Sequence, residues 1–264
     1  MSLRVLISLV SFFFPPFLVG TLFLFTIAAQ NMFQETPAAL ENATPEQLAA
    51  PQLDRSLPKA VILLSNSGNQ VTDVLASYQV LAESGHFNVV TAAPEKKLSP
   101  LTGGLSVLPD YAFKEAPSAD LLVIPAVIDF EESVLIDWIR NQARNAKLVI
   151  ALGEGLRLLT ATGLLEGRRA TTHFTALEDM RTKYPQVKLL KGVRFLRDEK
   201  YLTSVGTGGS IDAALYAVEN YLSTRIAQEL ARKLQINWLR TNEDRSLGTQ
   251  DFFHLILNGG YAWW

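Results

Sequence analysis

From Lys59 onward the chain alternates two hydrophobic patterns. Four short runs are almost wholly apolar: KAVILLS (59–65), FNVVTAA (87–93), DLLVIPA (120–126) and AKLVIAL (146–152). Runs of that length with no polar alternation predict strands buried on both faces, as in a parallel sheet. Between them lie segments with helical spacing. VTDVLASYQVLAES (71–84) sets Val71, Val74, Leu75, Tyr78 and Leu81 at that spacing. EESVLIDWIRNQARN (131–145) begins with acids and places Val134, Leu135, Trp138 and Ile139 on one face. EGLRLLTATG (154–163) ends its predicted helix at a glycine. LPDYAFKEAPSA (108–119) reads as a loop. Further along, residues 184–206 predict two or three strands with a turn at RDEK. Residues 208–235 predict one long closing helix with Ile211, Leu215, Val218 and Leu222 on one face. Strands alternating with amphipathic helices give an α/β sandwich of three layers around a mainly parallel sheet. Ligands of such sheets sit beyond the carboxyl ends of the strands, here Ser65, Pro125–Ala126 and Leu152–Gly153.

The two ends of the chain follow neither pattern. Val5 to Ala29 contains no charged residue. As a helix it would extend about 37 Å, enough for a hydrocarbon core of about 30 Å. Pro15-Pro16 would kink it, which membrane helices tolerate better than soluble ones. Arg4 precedes the run, and Glu35, Glu41, Glu46 and Asp54 follow it before Arg55. That asymmetry puts the amino terminus in the cytoplasm and the rest outside. The expectation for residues 1–30 is thus a single-pass transmembrane anchor with an extracytoplasmic globular part. The alternatives are a signal peptide cut near TIAAQ, with secretion, and a buried soluble helix. Residues 31–58, rich in Pro, Ala, Gln and Glu, read as a linker. Residues 236–264 have no clear period and end in FFHLILNGGYAWW, a tail packed on the domain or on a second subunit, or a membrane or partner contact.

Composition narrows the chemistry. Of 264 residues, 48% are hydrophobic and 19% charged, so a large core can form, and the net charge of −2 offers nothing to nucleic acid. No DNA-binding helix pair is expected after residue 235. The chain has no cysteine, which excludes disulfides, thiolate metal sites and a thiol nucleophile.

Several stretches resemble, in order, the ThiJ/PfpI family of class I glutamine-amidotransferase-like domains, particularly its isonitrile hydratases and the sensor domains of its AraC-type regulators. They are VTDVLASYQVL (71–81), DLLVIP (120–125), TATGLLEGRRATTHF (160–174), KYPQV (183–187) and LTSVGTGGSIDAALYAVE (202–219). The resemblance covers residues 59 to about 235 and implies a flavodoxin-like fold. In the family, a strand ends in a cysteine on a tight strand-to-helix turn. The matching position here is Gly153, flanked by Glu154 and Gly155. Glycine accepts the backbone geometry such a turn requires. The family's glycine pair after the VIP strand, which brings backbone N–H groups near a developing oxyanion, is here Ala126-Val127.

The resemblance thus implies a pocket containing Asp73, Ala126, Val127, Gly153, Glu154 and His173. Asp73 matches the acid beside the family's cysteine; alternatively it is a helix-start residue near an N-cap. His173 is a catalytic candidate or a structural hydrogen-bonder. Glu154 is either a cap complementing a helix dipole or a general base for water, paired with His173. No two of His86, His173 and His254 lie at i, i+4 spacing, so a metal would need Asp73, Glu154 and His173 to converge, and neither metal nor other cofactor is expected. TGGS (207–210) opens a helix and could bind an anion through backbone amides. The resulting expectation is a membrane-anchored, catalytically inactive domain that binds a small ligand or a protein partner. The alternatives are a cysteine-independent hydrolase or lyase using Glu154 and Asp73, and a structural module. Homodimers are expected from the resemblance.

Overall fold

The computed structural model describes residues 49–238. The predicted anchor and the aromatic tail lie outside that range, and among the described residues no helix is long and apolar enough to cross a membrane. In chain order the strands are β1 Lys59–Leu63, β2 Asn88–Ala93, β3 Ser99–Pro100, β4 Ser106–Val107, β5 Tyr111–Ala112, β6 Leu121–Ile124, β7 Leu148–Leu152, β8 Arg169–Ala170, β9 Lys188–Leu189, β10 Phe195–Asp198 and β11 Tyr201–Ser204. The helices are α1 Val71–Glu83, α2 Ser133–Asn145, α3 Leu156–Ala161, α4 Leu177–Lys183, α5 Gly208–Tyr221 and α6 Thr224–Lys233. Seven strands form one sheet in the order β10-β11-β7-β6-β1-β2-β5. All its pairings are parallel except the hairpin β10–β11, whose turn holds Glu199 at φ 52°.

The continuous apolar runs become central strands because helices cover both faces of the sheet. Val61, Leu122, Ile124 and Val149 point to one layer, where Leu135 and Ile139 of α2 and Leu159 of α3 meet them. Their neighbours Ala60, Ile62, Val123 and Ile150 point to the other layer, against Leu81 of α1 and Leu215 and Val218 of α5. Register locks the two sets in place: Ile62 sits opposite Val123, and Val123 opposite Ile150. A slip of one residue would exchange the layers of every side chain.

Four sequence expectations are corrected. Residues 208–235 are two helices rather than one. The chain leaves helical geometry at Leu222 and Ser223, and the Ser223 hydroxyl accepts a hydrogen bond from the Ile226 N–H, capping a fresh start at α6. The buried face of α1 is Asp73, Val74, Ser77, Val80 and Leu81, leaving Leu75 and Tyr78 exposed. It is turned because α1 packs against α5, whose matching face carries Ala213, Ala214 and Ala217, and small residues allow that close approach. Val134, in the first turn of α2, is exposed, and the buried face of the helix is Leu135, Trp138, Ile139 and Ala143. The segment 108–119 contains the edge strand β5, held to β2 by an Asp110 carboxylate that accepts bonds from both the N–H and the hydroxyl of Thr91.

Candidate functional site

A cavity of about 370 Å³ opens at the carboxyl ends of β1, β6, β7 and β11. Asp73, Ala126, Val127, Gly153, Glu154 and His173 all line it, joined by Asn69, Gln70, Thr175, Gly206 and Thr207. Ser65, the other strand-end candidate, is not among the lining residues; it is fully buried, and its N–H is held by the Asn69 side chain at 2.7 Å.

The floor is made where β7 turns into α3. Gly153 has φ +52° and starts a tight turn, Gly153–Gly155, leading directly into the helix. This left-handed conformation is strained for a residue with a Cβ. A Cβ on Gly153 would stand 3.3 Å from the Gly206 Cα and 3.5 Å from Asp73 Oδ2. Gly206, itself at φ +84°, leads from β11 toward α5, so the backbones at residues 153 and 206 meet almost directly.

Asp73 lies under that meeting point and is 1% exposed. Its Oδ1 accepts from the Ser210 hydroxyl at 2.6 Å and the Thr207 N–H at 3.2 Å, and its Oδ2 from the Ala126 N–H at 3.2 Å. Burial pushes the carboxyl above its usual range, opposed by those three donors and by the nearby His173. Asp73 therefore makes no cap of its own helix, and ties α1 to the end of β6 and the start of α5. The anion expected at TGGS is this internal one. The Ala126 N–H, at the place the resemblance gives to an oxyanion donor, is likewise directed at Asp73.

The wall is built from Glu154 and the segment after β8. Glu154 makes no capping bond. Its Oε2 accepts from Arg157 Nε at 2.9 Å, and its Oε1 accepts from the Thr175 hydroxyl at 3.1 Å. Thr175 Oγ1 lies 2.7 Å from His173 Nδ1, so Glu154 and His173 are joined through Thr175 rather than directly. The Arg157 guanidinium also pairs with Asp179 and sits over the Phe130 ring, 4.7 Å from its centroid. Among the described residues, no group of three or more His, Asp or Glu is arranged to hold a metal ion. The three candidates share a cavity, but each carboxylate is engaged by protein donors.

Sequence reasoning missed Thr175, Thr207 and Ser210 as partners. Thr175 stands two residues beyond His173, a local signal that could have been read. Ser210 and Thr207 are brought to Asp73 from across the domain, and only the fold reveals them.

The sequence matches the DJ-1/PfpI family over residues 58–220. It is 29% identical to the isonitrile hydratase of Pseudomonas putida over 170 residues, which are 60% of this chain and 73% of that one. It is also 29% identical to the HTH-type transcriptional regulator CdhR of Pseudomonas aeruginosa over 146 residues, 54% of this chain and 43% of that one. The chain therefore spans less than half the length of that regulator. Among solved structures, the fold superposes on a ThiJ/PfpI family protein from Pseudomonas syringae with a TM-score of 0.63 at 18% identity, covering 84% of this chain and 94% of that one. Drosophila melanogaster DJ-1beta gives a TM-score of 0.61 at 19% identity, covering 69% of this chain and 100% of that one. The chain belongs to the DJ-1/PfpI family.

Proposed function

We propose that this DJ-1/PfpI domain is a non-catalytic, ligand-binding descendant of a nucleophilic enzyme, held outside the cytoplasmic membrane by residues 5–29. The observation that carries the reading is Gly153. It occupies the strand-to-helix turn at φ +52° where the family resemblance places a nucleophile, and it brings no side chain to the cavity. A second feature supports it: the Ala126 N–H is engaged by Asp73 instead of facing a developing oxyanion. One similar protein is called a hydratase and another a transcriptional regulator. Those names alone favour neither catalysis nor sensing, and the local residues favour binding.

The test is an assay of the full chain against isonitriles, glyoxals, simple amides and esters, beside Gly153→Cys and Glu154→Gln. The wild type is expected to be silent and Gly153→Cys to gain slow turnover, because the turn retains its backbone geometry. Turnover by the wild type that Glu154→Gln abolishes would replace this reading with a cysteine-independent hydrolase, in which the Glu154–Thr175–His173 chain activates water. Topology is tested with a carboxyl-terminal reporter active only in the cytoplasm. It is expected to stay dark, and a bright reporter overturns the anchored arrangement.

A further inference from the structure

The carboxylates of the cavity are engaged within the protein. Glu154 is held by Arg157 and Thr175, and Asp73 by Ala126, Thr207 and Ser210. The Asn69 amide is engaged too: its oxygen accepts from the Ser65 N–H, and its NH₂ donates to the carbonyl oxygens of Ser65 and Pro100. No Lys or Arg is among the described lining residues. An anion entering this space meets no cation, and a cation meets oxygens that already have partners. Either ion leaves water without compensation, a cost that an uncharged molecule avoids.

Two features remain open to a ligand. The first is Thr207, at φ 47° and ψ −109°, a backbone conformation that residues with a branched Cβ rarely adopt. Glycines stand at 206, 208 and 209, and a glycine at 207 would relieve the strain. Thr207 instead brings a hydroxyl to the cavity lining, where it has no hydrogen-bond partner among the described residues, while its N–H is anchored on Asp73. A hydroxyl donates and accepts, so it suits an uncharged polar group.

The second feature is the mouth. Among the described residues the two most exposed large hydrophobic residues are Ile128, at 60%, and Phe174, at 59%. Both are held in place. Ile128 lines the cavity and lies over the bare backbone of Gly68, where a Cβ would come within 2.3 Å of its Cδ1, and its N–H donates to the Gly68 carbonyl at 3.0 Å. The Phe174 ring leans on that of His173, a lining residue, with centroids 4.5 Å apart. Val127, Phe130 and Val205 continue the apolar wall inward. Hydrophobic side chains fixed at the edge of a pocket offer surface to the apolar part of a ligand.

We propose that the cavity binds an uncharged amphipathic molecule, with its carbonyl-bearing head on the Thr207 hydroxyl and its hydrocarbon tail against Ile128 and Phe174. This rests on the reading of the cavity as a ligand pocket.

The test is calorimetric titration of the full chain with hexanamide, hexanoate and hexylammonium near neutral pH, followed by butanamide. Hexanamide is expected to bind at least about tenfold tighter than either ion. It is also expected to bind about tenfold tighter than butanamide, about threefold for each methylene laid against the apolar mouth. Thr207→Val, which keeps the branched shape and the N–H to Asp73, is expected to weaken hexanamide and butanamide alike by about fivefold, one hydrogen bond's worth. Phe174→Ala is expected to weaken hexanamide and leave butanamide unchanged, a split that a loss of fold does not produce. Equal or tighter binding of hexanoate or hexylammonium overturns the uncharged assignment and leaves the pocket reading standing. Wild-type affinity for hexanamide in Thr207→Val overturns the placement of the head, and in Phe174→Ala that of the tail. Heat from none of the probes overturns the proposal, while the non-catalytic reading itself falls only to turnover by the wild type.

Discussion

The floor and the wall of the cavity treat polar groups in opposite ways. On the floor, Asp73 is buried and both its oxygens are engaged by Ala126, Thr207 and Ser210. On the wall, Glu154, Thr175 and His173 are partly or largely exposed and form a chain that ends on a nitrogen with no partner among the described residues. The floor satisfies itself and so holds segments together; the wall leaves one polar atom to be satisfied from outside. A carboxylate lining a pocket is thus not automatically a ligand contact. Counting the donors already pointed at it decides, because buried polar groups that are fully paired have little left to offer.

The largest expected effect comes from breaking the floor's backbone. A Cβ on Gly155 would stand 2.3 Å from the Ile124 carbonyl oxygen and 2.6 Å from that of Pro125, both backbone atoms that cannot swing aside as the end of a flexible side chain would. Gly155→Ala is expected to cost about 3 kcal/mol or more in urea unfolding; near-wild-type stability would show that the turn can yield.

Asp73→Asn comes next. An amide has one acceptor oxygen, so its NH₂ must face one of the three donors, at a cost of about 2 kcal/mol. The same variant sharpens the comparison through pH. The folded-state pKa of Asp73 is raised by burial, so the folded protein holds that proton more tightly than the unfolded chain. Its contribution to stability therefore falls as pH rises from the ordinary carboxylate range through the raised value, and is flat above it. The difference between wild type and Asp73→Asn, followed by unfolding across that window, is expected to carry this slope; a difference independent of pH contradicts it.

The smallest effect belongs to the wall. Thr175 is exposed, and Thr175→Val is expected to change stability by no more than about 0.5 kcal/mol. A loss as large as that of Asp73→Asn would erase the distinction between the two sides.

Much of the scaffold was legible because apolar runs at 59–65, 87–93, 120–126 and 146–152 can be satisfied only by a sheet covered on both faces. The face of α1 was not, because hydropathy ranks Leu75 and Tyr78 above Ser77, whereas packing against the alanines of α5 selects for size. The break at Leu222–Ser223 hid inside a sustained helical composition, marked only by a serine able to cap. At the site, the family motif pointed to six residues of one cavity, but not to what they bond. Asp73 finds its partners 53, 134 and 137 residues away. Glu154 finds Thr175 at a separation of 21. No local pattern encodes such distances.

The Asp73 junction also ties together events in time. The amides of Ala126 and Thr207 belong to different segments, yet both are shielded by one side chain carried on α1. Neither can exchange its hydrogen with solvent through a local flutter that leaves α1 docked. Their exchange rates should therefore move in step under mild denaturant, reporting one cooperative opening in which α1 lifts away from the sheet and the cavity loses its floor.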